Sequence, residues 1–568
     1  MFSPICPAAF LLGRMAMCVI RFITSLLMSV VLFFGSLSPL FGGVSSVKYI
    51  IDTSDLGDEI PNIVDNVNVW DMGTQFYEPQ RNSENDVMEF VRYIQLMQCT
   101  GGTPERDLFK DPFDKSTFTD YDFEPLIKNC RGILSLGAKP HLKLGGVPIK
   151  FTSDYIIGGD FSMNIYPPDD YEVYYGYIKA IITALVDEFG IDEVRSWRFG
   201  CMTEFENGGW FQAKSGDPED SMIAYCKLYD YTVQALVDVL GEDITVGAHS
   251  MAVTEGLWDE RDFIRHVAKG TNYANGKKGT KISFISASFY DNRPGKYTKG
   301  MTLPETVEHL KKTAEKYGLK DLFYGIDEGR ILFGNNYGKA DNQLLLRITG
   351  YTWQAAYDAR LFTQGINSGL DYFSSWGFLS NGLFDGNPTV SYHVASNISK
   401  FAGSRQTNVI SAKVRAGIGI ESECLSGWDS ETNTLRIMTY NYKNDVGYSK
   451  KMNVSFTLKV PQITKDEVTV VRYLISDDCN YFDEFQEDRV KYSITDDCFN
   501  WSPDDPCIDS PGTLSDETAR TIYFNELKDK YAECSVLTPV YSTAKVENGR
   551  IRLDDTLDGS NVIFYEIY

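Results

Sequence analysis

From about residue 64 to 402, short apolar runs alternate with longer segments in which apolar residues recur at helical spacing. Eight of the runs read as strands: Val67–Met72, Leu96–Thr103, Pro140–Leu144, Ser196–Met202, Ile244–Ala248, Ile282–Tyr290, Leu322–Ile326 and Leu370–Trp376. After Asp169 the spacing predicts a helix, with Tyr174, Tyr177, Ile178, Ile181, Leu185 and Phe189 on one face and Gly190 closing it. Thr302-Leu303-Pro304-Glu305 predicts another helix start: Thr302 can accept from the N3 amide and Glu305 can reach back, ahead of Val307, Leu310, Ala314 and Gly318. Eight strand and helix alternations predict a (β/α)8 TIM barrel rather than an open doubly wound sheet. No Gly-rich phosphate loop follows the first strand, which disfavours a dinucleotide enzyme.

After about residue 405 the period changes to alternating segments, Leu435–Tyr440, Met452–Leu458, Val468–Ile475, Arg550–Leu553 and Val562–Ile567, separated by turn residues. These predict an all-β sandwich, which the early strand Val47–Thr53 is expected to join. At the N-terminus Arg14 and Arg21 precede the apolar run Phe22 to Phe34 and then the small residues Gly42 to Ser46. That order predicts a secretory signal and a secreted, periplasmic or lumenal protein. The alternative is an uncleaved membrane anchor, since Leu37 to Phe41 lengthens the apolar stretch. The expected organisation is 1–43 signal or anchor, 44–63 N-terminal strand, 64–402 barrel and 403–568 sandwich.

With 54 Lys and Arg against 78 Asp and Glu, the formal charge of −24 repels phosphate backbones and anionic membranes, so nucleic acid is not an expected partner. The 34 Tyr, 34 Phe and 8 Trp suit the stacking of sugar rings, although core packing uses most aromatics in any fold. Of the 11 cysteines, Cys6 and Cys18 fall in the presequence. Cys99, Cys130, Cys201 and Cys226 sit in apolar contexts that favour buried free thiols. Cys479, Cys498, Cys507 and Cys534 lie in a polar stretch where an exporting pathway could pair them in any of three ways. None has metal-site spacing, and neither metal nor organic cofactor is expected.

Barrel active sites lie at the C-terminal ends of the strands. Two carboxylates qualify there: Glu204, after the strand SWRFGCM, and Glu328, after LFYGI. Retaining cleavage of a glycosidic bond needs one carboxylic acid to protonate the leaving oxygen and one carboxylate to attack the anomeric carbon, about 5 Å apart. Burial and mutual repulsion would keep the acid protonated, and a cation such as Arg330 would hold the nucleophile ionised. Strand-end carboxylates also cap helices or pair with Arg, and Glu206 and Asp327 compete directly for the two roles.

Several short motifs stand in a fixed order along the chain. Tyr121-Asp122-Phe123 to Leu136-Gly137-Ala138-Lys139-Pro140-His141-Leu142-Lys143-Leu144-Gly145-Gly146-Val147-Pro148 looks like the second helix and third strand. Trp197-Arg198-Phe199 to Thr203-Glu204 looks like the acid/base strand, followed by Lys227-Leu228-Tyr229 and by Val246-Gly247 on strand five. Phe284 to Tyr290 resembles strand six, Gly325 to Glu328 strand seven, and Ser375-Trp376-Gly377-Phe378 the end of strand eight. With the trailing Gly549-Arg550-Ile551-Arg552-Leu553 of the sandwich, these motifs in order resemble glycoside hydrolase family 39, the β-xylosidase and α-L-iduronidase group of the barrel clan with catalytic Glu on strands four and seven. The resemblance implies Glu204 as acid/base and Glu328 as nucleophile. The sequence departs from the family where Thr203 replaces the Asn that binds the sugar 2-hydroxyl, where Ser288 replaces the strand-six His, and around Ser380-Asn381, where an acidic residue is expected.

Trp210, Phe211, Tyr290 and Trp376 are candidate aromatic walls for a pyranose, with plain core packing the better reading for Phe211. His141, Lys143 and His249, near strand ends three and five, are candidates to bind hydroxyls or a substrate carboxylate; a structural His is an equal alternative. Sequons at Asn397, Asn453 and Asn500 permit glycosylation. The expected function is a retaining glycoside hydrolase acting on oligosaccharide or polysaccharide with water alone. The alternative is a catalytically impaired carbohydrate-binding barrel, which the Thr203 and Ser288 departures allow.

Overall fold

The computed structural model describes residues 45–69, 73–74, 76–79, 87–158, 162–251, 256–290, 301–330, 352–375, 388–415, 417–445, 447–493 and 517–568. The expected presequence at 1–43, Trp376, Ser380, Asn381, Cys498, Cys507 and the sequon at Asn500 lie outside the described residues.

Strands buried on both faces are uniformly apolar, and parallel neighbours need a crossover helix between them. The crossover condition holds in the barrel, whereas its strands also bury polar residues, among them Asn66, Gln95, His141, Lys143, His249 and Asp327. Numbering the strands in chain order, β1 (Ser45–Glu59) belongs to the C-terminal sheet. The barrel is built from β2 (Asn66–Val69), β3 (Tyr93–Leu96), β4 (Lys139–Lys143), β5 (Arg198–Gly200), β6 (Thr245–Ser250), β7 (Phe284–Tyr290), β8 (Phe323–Arg330) and β9 (Tyr372–Ser375). Each strand pairs in parallel with the next. The last returns to the first: the Phe373 amide on β9 donates to the carbonyl of Ile63, just ahead of β2, at 2.7 Å, and inside the ring the Asn68 side chain of β2 donates to the Asp327 carbonyl of β8 at 3.0 Å.

The crossover helices include α1 (Glu124–Ser135), α2 (Tyr171–Phe189), α3 (Pro218–Leu240), α4 (Glu260–Lys269), α5 (Leu303–Tyr317), α6 (Trp353–Asn367) and α7 (Val390–Ser399). Helix α2 buries Tyr174, Tyr177, Ile178, Ile181 and Leu185, the face expected from the spacing, and Asp170 caps its first amides. Helix α5 opens with the Thr302 and Glu305 capping box in reciprocal form.

The second strand is the exception to the expected positions. It ends at Leu96, where the sequence pattern has it begin: the chain turns from Met97 to Thr100, and Gly101 and Gly102 follow at φ of 110° and 119°, outside any strand. Met97 to Gly102 are nonetheless buried, which is why they read as a strand.

The C-terminal unit is one sheet of nine strands: β1 with β10 (Arg405–Arg415), β11 (Cys424–Asp429), β12 (Thr434–Tyr440), β13 (Met452–Lys459), β14 (Glu467–Ile475), β15 (Val540–Lys545), β16 (Arg550–Leu557) and β17 (Val562–Ile567). Their order is β15-β14-β17-β12-β11-β10-β1-β13-β16. All pairs are antiparallel except β1 with β13. Phe456 on β13 meets Tyr565 on β17 edge-on, 5.8 Å between ring centres, although the two strands stand five places apart. The sheet therefore folds over its own core, which includes Tyr49, Ile51, Trp428, Leu435 and Leu458. It is tied to the barrel through α6, where the Trp353 indole donates to the Lys443 carbonyl and Arg360 pairs with Glu421.

Cys99, Cys130, Cys201, Cys226 and Cys479 are buried free thiols, and Cys534 is a half-buried one. Among the described residues no helix is long and apolar enough to cross a membrane.

Candidate active site

Beyond Gly200 the chain leaves β5 in a tight turn, with Met202 at φ 65° and Glu204 at φ 42°. Side chains rarely occupy this left-handed region, so the surroundings must impose it. Gly145 is one such constraint: a Cβ there would come within 2.2 Å of the Met202 amide nitrogen, so only glycine lets the β4 loop back this turn. The Asn207 amide donates to the Glu204 carbonyl at 2.8 Å, completing the turn. Glu204 is half-buried, and its Oε2 accepts from the Trp210 indole at 3.1 Å and the Asn207 amide group at 3.3 Å.

Glu328 owes its aim to an irregularity in β8. Ile326 pairs with Ala287, but the next partner of β7, Ser288, pairs with Glu328, so Asp327 is an extra residue. Bulges of this kind redirect side chains near strand ends. Glu328 is 5% exposed, and the Tyr290 hydroxyl donates to its Oε1 at 2.6 Å. Asp327 is carried into the barrel interior, wholly buried, where it meets Lys143, the Tyr372 hydroxyl and, at 2.5 Å, the Ser286 hydroxyl. Burial alone would raise its pKa. The Lys143 charge and the hydrogen bonds outweigh that and hold Asp327 well below the usual carboxylate range.

The competitor beside Glu204 is separated in the same way. Glu206 is buried, its Oε1 accepting from the Met251 amide at 2.7 Å, and burial, with the charges of Glu260 and Glu204, pushes its pKa well above the ordinary value. A raised acid pKa gives stability that is complete below the unfolded value of about 4.3 and is lost as pH rises towards the folded one. Glu206→Gln, neutral at every pH, is therefore expected to be more stable than the parent at pH 8 and to lose that advantage below about pH 4.3. Thermal unfolding of both proteins at the two pH values checks this, and an advantage that did not depend on pH would contradict it.

The remaining candidates take defined places. Thr203 Oγ1 lies 2.6 Å from His249 Nδ1, and His249 Nε2 lies 2.8 Å from Ser288 Oγ. Burial pulls His249 down to about 3, so its ring is neutral. His141 is buried, its Nδ1 3.3 Å from the Asn66 amide group and its ring edge-on to Phe284; burial lowers it as well. Lys143 is buried and committed to Asp327. Arg330, at φ 94°, places Nε and Nη2 on the two oxygens of Asp358 in α6, both at 2.7 Å, and also meets Ser391 in α7. Phe211 is buried against Tyr225.

Trp210 and Tyr290 are expected from the sequence as flat walls. The structure adds an N–H and an O–H donated to the two carboxylates. Asn207 was not singled out; its place three residues after Glu204, in a Gly-rich turn, was the available signal.

The sequence model of glycosyl hydrolases family 39 matches residues 109–417, more than half of the chain. A beta-xylosidase of Caldicellulosiruptor saccharolyticus is 26% identical over 185 residues, covering 32% of this chain and 36% of that protein. A beta-xylosidase of Geobacillus stearothermophilus is 24% identical over 272 residues, 45% and 48% of the two. The matches thus span less than half the length of these curated relatives. Among solved structures, a monomeric beta-xylosidase from Caulobacter crescentus superposes with a TM-score of 0.60 at 14% identity, covering 92% of this chain and 99% of that one. The GH39 enzyme from Xanthomonas axonopodis pv. citri gives 0.60 at 14%, covering 94% and 99%. A bacterial orthologue of human α-L-iduronidase gives 0.58 at 13%, covering 92% and 84%. At such identities the likeness is one of fold.

Proposed function

Since this chain belongs to glycosyl hydrolase family 39, we propose that it cleaves O-glycosidic bonds in glycans with retention of configuration, Glu204 serving as acid/base and Glu328 as nucleophile. The observation that carries this reading is the sorting of four carboxylates at two strand ends. Asp327 and Glu206 are buried and bound to structural partners, whereas Glu204 and Glu328 each receive donors suited to catalysis.

A hydroxyl donated to Glu328 favours its ionised form, the form that attacks the anomeric carbon. Donors on Oε2 of Glu204 favour placing its proton on Oε1, from which it passes to the leaving oxygen. Once the aglycone has left, ionised Glu204 takes a proton from water, which then displaces Glu328 and releases the sugar with its original configuration. The substrate class we propose is a β-xyloside or an α-L-iduronide, after the relatives. The order of basic, apolar and small residues from Arg14 to Ser46 supports action outside the cytosol.

The test is a panel of aryl glycosides (β-xyloside, α-iduronide, β-glucoside, β-galactoside, α-arabinoside) with the first product anomer read by NMR. Turnover with retention of one member supports the reading and names the sugar. Inversion would sink the double displacement, and sugar binding without turnover would favour an impaired binding barrel.

A further inference from the structure

The ends of β5, β6 and β7 are joined by one hydrogen-bonded line, Thr203 to His249 to Ser288. Thr203 precedes Glu204, and Ser288 stands opposite Glu328 in the strand register, so the line runs from one carboxylate's strand end to the other's. Thr203 and His249 are buried, while Ser288 retains 8% exposure.

A neutral imidazole has one N–H and one lone pair, so the line has a direction. Asp327 sets it. Its Oδ2 lies 3.7 Å from His249 Nδ1, and an ionised carboxylate on that side favours a proton on Nδ1 over a lone pair. Lys143, on the same carboxylate, acts the other way on His249, but less strongly than Asp327 does; His141, also near, is neutral. With the proton on Nδ1, Thr203 accepts from the ring and Ser288 donates to Nε2. The Ser288 oxygen then has only lone pairs to offer outward.

Resting on the glycosidase reading above, we propose that His249 is a positioning residue, protonated on Nδ1, that fixes the Ser288 hydroxyl as an acceptor and so selects a sugar presenting a hydroxyl hydrogen beside the nucleophile. The Ser288 and Thr203 departures become parts of one device rather than losses. No bond is made or broken by it.

The experiment is a long-range 1H–15N correlation spectrum of the 15N-labelled full chain. The chain has five histidines, and His249 is assigned by the signals lost in His249→Gln. The expected result is a protonated Nδ1 and an unprotonated Nε2, constant from about pH 5 to 8. A proton on Nε2, or an imidazolium in that range, would overturn the inference. In parallel, Ser288→Ala is expected to raise KM about tenfold, with the smaller share of the effect on kcat, and Ser288→Thr to restore it. If the glycoside is bound but not turned over, Kd takes the place of KM. An effect confined to kcat, or one that threonine fails to rescue, would overturn the selectivity. The spectrum needs no substrate, so the expected tautomer in a chain that hydrolyses nothing sinks only the glycosidase reading, and the wrong tautomer in an active enzyme sinks only this inference.

Discussion

Glu328→Gln is expected to lower kcat/KM by about 10⁴-fold or more on every substrate the protein turns over, because an amide oxygen cannot form the glycosyl-enzyme. Glu204→Gln should behave differently. Loss of a proton donor costs about 10²–10⁴-fold on glycosides with poor leaving groups, and far less on dinitrophenyl glycosides, whose leaving group needs no proton. Added azide should restore turnover of such activated substrates in the Glu204 variant by attacking the glycosyl-enzyme directly. The pattern is read from leaving-group dependence and azide response of the two variants side by side. If both lost activity equally on all leaving groups, the division of roles would be wrong, whatever the loss.

The second large effect concerns stability. Lys143 and Asp327 form an ion pair with no exposed surface on either side chain. Removing one partner leaves a buried, uncompensated charge, which costs about 3–5 kcal/mol. Lys143→Met and Asp327→Asn are each expected to lower the thermal transition of the barrel by several degrees. The joint exchange of both for apolar residues should recover much of the loss. The pH dependence has a definite sign: Asp327 is depressed when folded, so its contribution is fully present above the unfolded carboxylate value of about 3.9 and declines as pH falls below it. Calorimetry of the parent and the Asp327→Asn variant at pH 7 and pH 3 should show the gap narrowing in acid.

The barrel was legible because short buried runs alternate with amphipathic helices, several of them with a side-chain cap, so position along the chain already implied position around the ring. β3 was misplaced because Met97 to Gly102 form a buried turn, and a buried turn leaves much the same mark on the sequence as a buried strand. Glu328 and Asp327 were inseparable in sequence, being adjacent and chemically alike. One bulge in β8 decides which faces the interior, and it depends on how β7 pairs beside it. The donors Tyr290 and Trp210 were named as rings and not as hydrogen-bonding groups, because spacing places a residue at a strand end without fixing where its polar atom points. Arg330 shows the same limit: proximity in sequence suggested service to Glu328, while its guanidinium finds Asp358 across the fold.

Strand β1 lies between β10 and β13, whose residues are synthesised only after the whole barrel. During synthesis at about 5–20 residues per second, that first strand waits on the order of tens of seconds for both neighbours. Through that interval it is a bare edge with an apolar face carrying Val47, Tyr49 and Ile51. The barrel is topologically an insert between two adjacent strands of another unit, so the two cannot be parted by one cut. A truncation ending after α7 would keep every residue assigned to chemistry and leave β1 without its sheet, a chain more prone to aggregate than to report on catalysis.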